Sequence, residues 1–266
     1  MTRNAETLRI TRLPAFSDNY LWLIDNGRLA AVVDPGDAQP VLKALHSLEL
    51  ELDTILLTHH HPDHTGGVDT LAASTSANVI GPHSARIPQV QRPVGSGDVV
   101  ELLGVSLQVL EIPGHTLDHI AYFLPACPAS EDKPLLFCGD TLFAGGCGRV
   151  FEGSMEQMHR SLVTLSHLPA DTQVHCAHEY TQSNLHFAQA VEPDNPDLQA
   201  RCVAVQQLRA QQRATVPSRL CEELATNPFL RCQTDTVIAS AEHYSGNKLA
   251  TDAAVFAALR EWKDSF

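Results

Sequence analysis

Thr58-His59-His60-His61-Pro62-Asp63-His64 sets four imidazoles and a carboxylate in seven residues, more polar ring than an ordinary core can bury. Before it, Asp53-Thr54-Ile55-Leu56-Leu57 is β-branched and apolar over the length of a strand; after it, Gly66 and Gly67 let backbones approach closely. The cluster therefore stands where a buried strand opens into a loop, the place at which α/β folds keep their chemistry. His59 and His61 alternate by two, so an extended or turning backbone aims both at one ion while His60 points elsewhere. Pro62 disfavours helix at His61 and suits the first turn of a helix beginning there, which sets Asp63 and His64 at a helix start, facing differently. Two neighbouring metals are implied, one served by His59 and His61 and the other by Asp63 and His64.

Two ions need more ligands, and the chain offers them at further strand ends. Val105 to Ile112 reads as a strand closed by Pro113-Gly114, which throws His115 onto a loop. Phe137-Cys138-Gly139-Asp140-Thr141 repeats the arrangement with a carboxylate, a hard oxygen donor able to bridge two cations. Val174 to Tyr180 closes another short strand with His178 at its end. Nitrogen and oxygen donors without a thiolate suit zinc, iron or manganese alike, and ligand type alone does not choose among them; zinc is taken as the expectation.

HxHxDH, a Gly-His after a strand, Gly-Asp and a late His resemble the metallo-β-lactamase superfamily, and within it the hydroxyacylglutathione hydrolase (glyoxalase II) family along nearly the whole chain. The narrowing segments are Pro14 to Tyr20, Thr58 to Gly67, Pro113 to Thr116, Cys138 to Phe143, Gly146-Cys147-Gly148, His178-Glu179-Tyr180 and Asn227 to Arg231. The resemblance implies a first ion on His59, His61, His115 and Asp140, and a second on Asp63, His64, Asp140 and His178. Asp34 resembles the family aspartate that orients the ligands from behind. Arg149, Phe151, Tyr180, Arg260 and Lys263 inherit glutathione-binding positions. Many relatives carry Lys where Arg149 stands and Tyr where Phe151 stands; Arg keeps the charge, whereas Phe151 is reduced to packing. Cys147, between two glycines, fills a tight turn rather than acting as nucleophile.

The implied activity is hydrolysis of S-(2-hydroxyacyl)glutathione, typically S-D-lactoylglutathione, to D-lactate and glutathione in methylglyoxal detoxification. Two divalent cations lower the pKa of a water held between them to about 7. Asp63 is expected to orient it as the catalytic carboxylate, and a thiolate leaving group needs no dedicated acid. The competing readings are a mononuclear iron persulfide dioxygenase of the same superfamily and a non-enzymatic metal-binding protein. Relatives of the first kind typically lack so long a helical C-terminus. A buffer would saturate its ions with protein ligands, whereas this ligand count leaves room for water.

Fold class comes from the same pattern. Strands are expected over Leu8 to Leu13, Tyr20 to Asp25, Leu29 to Asp34, Thr54 to Thr58, Val79 to Gly81, Val105 to Ile112, Ile120 to Leu124 and Leu135 to Cys138. Helices fit Ala38 to Ser47, Val68 to Ala73 and Ser154 to Ser166, the last opening on Ser154 as cap with Gln157 three residues on. The implied architecture is α/β, an αβ/βα sandwich of two mixed sheets flanked by helices over residues 1–178. Residues 179–266 are expected to form a helical domain, which the resemblance implies binds glutathione, with helices over Thr181 to Ala190, Pro196 to Arg213, Ser218 to Ala225 and Asp252 to Lys263.

With 18 basic against 31 acidic residues, a net charge of −13 and no basic run, the chain is not expected to bind nucleic acid. A small anion is still allowed where a few cations gather locally, and the resemblance implies a small-molecule glutathione thioester as the partner. Seven cysteines, odd in number and without a CxxC pair, fit the reduced thiols of a cytosol. Met1 to Pro14 lacks a basic leader and an apolar segment, and no span reaches the ~18 apolar residues that cross a bilayer. A soluble cytoplasmic monomer is expected.

Overall fold

The apolar β-branched runs become strands. β1 (Arg9–Ala15), β2 (Asn19–Asp25), β3 (Leu29–Val33), β4 (Glu51–Leu56), β5 (Asn78–Pro82) and β6 (Arg92–Val94) form one sheet in that order. β1 to β3 pair antiparallel and β3 to β6 parallel, a mixed sheet. β7 (Val99–Leu102), β8 (Val105–Glu111), β9 (Ile120–Leu124) and β10 (Leu135–Gly139) pair antiparallel in a second. The computed structural model describes residues 7–266; the leader reading falls partly on residues 1–6, outside those described.

All ten strands lie in the first of two compact units, Met1–Glu111 with Asp118–Gly139. Helices α1 (Ala38–Leu48), α2 (Pro62–Thr65) and α3 (Val68–Thr75) belong to it as well. α1 and α3 bury one face against the first sheet, where Ala30, Val32, Ile55, Leu57, Val68 and Leu71 are wholly enclosed. At about 25 cal/mol per Å² of apolar surface, such burial is the main force holding the layer. The two sheets are tied by Tyr122 of β9, whose buried hydroxyl donates to the carbonyl of Leu57 at 2.9 Å.

The second unit, Ile112–Leu117 with Asp140–Phe266, carries a short hairpin, β11 (Leu142–Phe143) and β12 (Gly146–Cys147). Helix α4 (Met155–Ser166) comes next, with the expected capping box between Ser154 and Gln157. β13 (Gln173–Cys176) pairs with β14 (Ser218–Arg219), so Ser218 and Arg219, expected as helix, are strand instead. α5 (Thr181–Val191) packs on α6 (Pro196–Ala210) through Leu185, Ala188, Leu198 and Val205. α7 (Leu220–Thr226), α8 (Asp235–Ser245) and α9 (Asp252–Ser265) complete it. Phe187, Phe229 and Phe256 form its aromatic centre, with ring centroids 5.9 and 5.7 Å apart in succession. Among the described residues, no helix is long and apolar enough to cross a membrane.

Candidate active site

In the first unit the parallel pairing of β3 and β4 sets Asp34 beside Thr58. The Asp34 carboxylate accepts from the Thr58 amide at 2.8 Å and from its hydroxyl at 2.7 Å. The Thr58 hydroxyl proton being so used, its oxygen is the acceptor for His59 Nδ1, 3.0 Å away. His59 Nε2 is then the bare nitrogen, and it converges to 3.1 Å from His61 Nδ1. Asp34 Oδ2 also lies 3.0 Å from His64 Nδ1, while His64 Nε2 faces Asp63 Oδ2 at 3.6 Å. One carboxylate thus sets the tautomer of His59 through a hydroxyl and lies within ion-pair distance of His64, as a buried carboxylate behind metal-binding imidazoles does. Asp34 adopts a left-handed φ of 52°, a conformation Asp tolerates better than most side chains.

Pro62 is the first residue of α2, with His61 as its cap, so Asp63 and His64 do stand in the opening turn. The fold needs glycine at position 36, where a Cβ would overlap the Asp63 carbonyl. His60 turns aside: its Nδ1 lies 3.0 Å from both oxygens of Asp118, and its Nε2 lies 2.9 Å from Arg86 Nη1. The His119 ring stacks on His59 with centroids 4.5 Å apart.

In the second unit the Asp140 carboxylate stands between two rings. Its Oδ2 is 3.5 Å from His115 Nε2 and its Oδ1 is 3.4 Å from His178 Nε2. His115 Nδ1 donates to the Arg149 carbonyl at 2.8 Å, which makes Nε2 its bare nitrogen. Offering one oxygen to each of two imidazoles is the disposition of a carboxylate that bridges two cations. Bare nitrogens and carboxylate oxygens aimed in pairs, with no thiolate in the set, fit divalent metal ions.

The expected substrate residues also lie in the second unit. Tyr180 is 38% exposed, so it is not core. Its ring lies flat on His178, centroids 4.7 Å apart and planes within 5°. Phe151 is exposed and meets the His115 ring edge-on at 5.3 Å. Arg149 is exposed, its Nε 3.5 Å from Asp264 Oδ1. Arg260 is only 3% exposed: Nη1 donates to the Cys147 carbonyl at 3.0 Å, Nη2 donates to Asp264 at 2.9 Å, and the buried Nε has no hydrogen-bond partner. Lys263 lies over the Phe187 ring at 5.3 Å; burial, and then the neighbouring Arg260, lower its pKa. Burial pushes the Cys147 thiol up to about 11, against the pull of Arg260, so it is no nucleophile at neutral pH.

Other residues enter the two half-sites without having been singled out by spacing. Thr58, Asp118, Arg86, His119 and Asp264 are among them, and so is Asn19, whose Nδ2 donates to Asp63 Oδ2 at 3.0 Å. Asn227 likewise shows what the Asn227 to Arg231 segment does. Its Nδ2 donates to the carbonyls of Gly146 at 2.9 Å and Phe143 at 3.3 Å, fixing the β11–β12 hairpin.

Residues 16–178 match the family described as Metallo-beta-lactamase superfamily, and the chain belongs to that superfamily. Residues 179–266 match the Hydroxyacylglutathione hydrolase C-terminus. Curated relatives agree: the chain is 51% identical over 259 residues to the hydroxyacylglutathione hydrolase of Albidiferax ferrireducens, spanning 97% of this chain and 100% of that one. With the hydroxyacylglutathione hydrolase of Pseudomonas putida the identity is 53% over 262 residues, with the same coverage. Within the superfamily the chain belongs to the hydroxyacylglutathione hydrolase family. Among solved structures, ETHE1 from Myxococcus xanthus superposes with a TM-score of 0.64 at 24% identity, over 97% of this chain and 99% of that one, a likeness of fold. A protein solved in a di-iron-bound form has a TM-score of 0.51 at 28% identity, over 62% of this chain and 90% of its own.

Proposed function

We propose that the chain hydrolyses S-(2-hydroxyacyl)glutathione, S-D-lactoylglutathione in the first instance, to a 2-hydroxy acid and glutathione in methylglyoxal detoxification, as a cytoplasmic monomer. The observation that carries this reading is the Asp140 carboxylate with one oxygen toward each of His115 and His178. The separate pairing of His59 with His61 and of Asp63 with His64 supports it. In this reading His59, His61, His115 and Asp140 hold one divalent ion, and Asp63, His64, Asp140 and His178 hold the other. Zinc is the expected metal, with iron or manganese as alternatives; a relative solved in a di-iron-bound form supports the pairing. When bound, such a pair of ions acidifies water and polarises a carbonyl oxygen.

The chain's own groups do the positioning. Asp63 accepts a hydrogen bond from the attacking water and points its lone pair at the thioester carbonyl carbon. Asp34 holds His59 in place through Thr58 and sets its charge beside His64, so the water and the carbonyl meet in one geometry. The leaving thiolate, of ordinary thiol pKa ~8.5, departs without a general acid. Residues 1–178 form the catalytic domain and the helices of 179–266 the glutathione-binding domain. Arg149 and Lys263 pair with the carboxylates of glutathione, and the buried Arg260, its Nη groups on the Cys147 carbonyl and Asp264, adds its charge to the same site from beneath. The Tyr180 hydroxyl donates to the substrate, and Phe151 packs against it.

The test is release of free thiol from S-D-lactoylglutathione beside thioesters lacking glutathione, with a β-lactam as a further substrate. Preference for the glutathione thioester is expected, with two ions per chain. About one iron per chain and oxygen uptake on a persulfide would sink the reading, as would Asp63→Ala hydrolysing at the wild-type rate with both ions bound.

A further inference from the structure

The segment Pro14 to Tyr20 has no part in the chemistry above, yet the first unit gives it one. β1 and β2 close through the Ala15–Asn19 pair, leaving Phe16, Ser17 and Asp18 as the turn. Phe16 takes a left-handed φ of 51° and is 61% exposed. An aromatic residue keeps that conformation only where its surroundings over-determine it. The turn brings in Asn19, 6% exposed, whose Nδ2 donates to Asp63 Oδ2 at 3.0 Å.

Resting on the reading of Asp63 as ligand and water-orienting carboxylate, we infer that Asn19 is a positioning residue that fixes the rotation of the Asp63 carboxylate. An ionised carboxylate only accepts, so the Asn19 amide must present its NH₂ side, and no residue of that size without a donor can replace it. The side chain of Asp63 is 40% exposed, so burial alone does not fix the rotation of its carboxylate. The bond selects the one rotation in which Asp63 faces His64 Nε2.

Three variants test this: the isosteric Asn19→Asp, which exchanges the donor for a second carboxylate; Asn19→Ala; and Asn19→Gln, which restores an NH₂ group. Each is measured for kcat and KM on S-D-lactoylglutathione, for ions retained per chain across a chelator series, and for Tm. Asn19→Asp and Asn19→Ala are expected to lose about 10- to 100-fold in kcat or in retention of one of the two ions. Their KM should stay within about twofold, and Asn19→Gln should recover part of the loss. Wild-type turnover and ion retention in both variants overturn the inference, and so do losses confined to variants whose Tm has collapsed. If the wild type itself fails on the thioester, the functional reading fails, while the chelator series still decides the part of Asn19.

Discussion

Lys263 is a half-buried cation of the proposed glutathione site. Its pKa is lowered, first by burial and then by Arg260, so the ammonium loses its proton sooner than an ordinary lysine. An anionic substrate is held by that charge below the lowered value, and the hold weakens as pH rises through it. KM is expected to climb on the alkaline side below pH 10.5, and Lys263→Arg should move that climb upward, since guanidinium stays charged. Lys263→Ala should raise KM about tenfold at neutral pH with kcat within about twofold. A KM–pH curve for the three proteins checks both. At this scale the sequence is readable only in part. Of the seven proposed ligands, His59, His61, Asp63 and His64 have their geometry stated locally by alternation by two and by Pro62, whereas His115, Asp140 and His178 stand singly at strand ends and enter the set through the family resemblance. Asn19, Asp118 and Arg86 are not legible, because their partners lie 44, 58 and 26 positions away, a distance only the folded chain closes.

Among elements, the β11–β12 hairpin rests on a buried charge. Glu223, wholly buried on α7, accepts from the Gly145 amide at 2.7 Å and from Asn227 Nδ2 at 3.2 Å. Its other oxygen pairs with Arg201 of α6, itself 5% exposed. Removing one partner of such a pair strands the other charge, so Glu223→Gln is expected to cost about 3 kcal/mol in urea unfolding. Arg201→Met added to it should recover part of the loss. Strands such as β2, β8 and β9 and helices such as α1, α4 and α9 follow from apolar period and caps. Pro93 hides β6, which lies at the sheet edge where proline is tolerated. Thr236, Val237 and Ile238, β-branched, hide α8, whose helical state is imposed by packing on α5 and α9.

For the whole molecule, the two family matches meet between residues 178 and 179, while compactness groups Asp140 onward with the C-terminal helices. Met158, Leu162 and Leu165 of α4 are wholly buried, and α4 packs on α9, His159 lying 5.7 Å from Phe256. A chain ending at residue 178 would expose that face. It is expected to aggregate or to lose its cooperative unfolding transition, which circular dichroism and gel filtration would reveal; a soluble, cooperative 1–178 would show that the face needs no partner.

Gly148 gives the loop before α4 an unequal freedom. A Cβ there would overlap the Asp140 carbonyl and stand 3.1 Å from His115 Nδ1, whereas Arg149 and Phe151 are exposed. The backbone is a rigid rail, and the two residues after it are exchangeable fittings. On the proposed reading, selectivity among thioesters is open to engineering at 149 and 151 without disturbing Asp140 and His115 beneath, so long as 148 stays without a side chain.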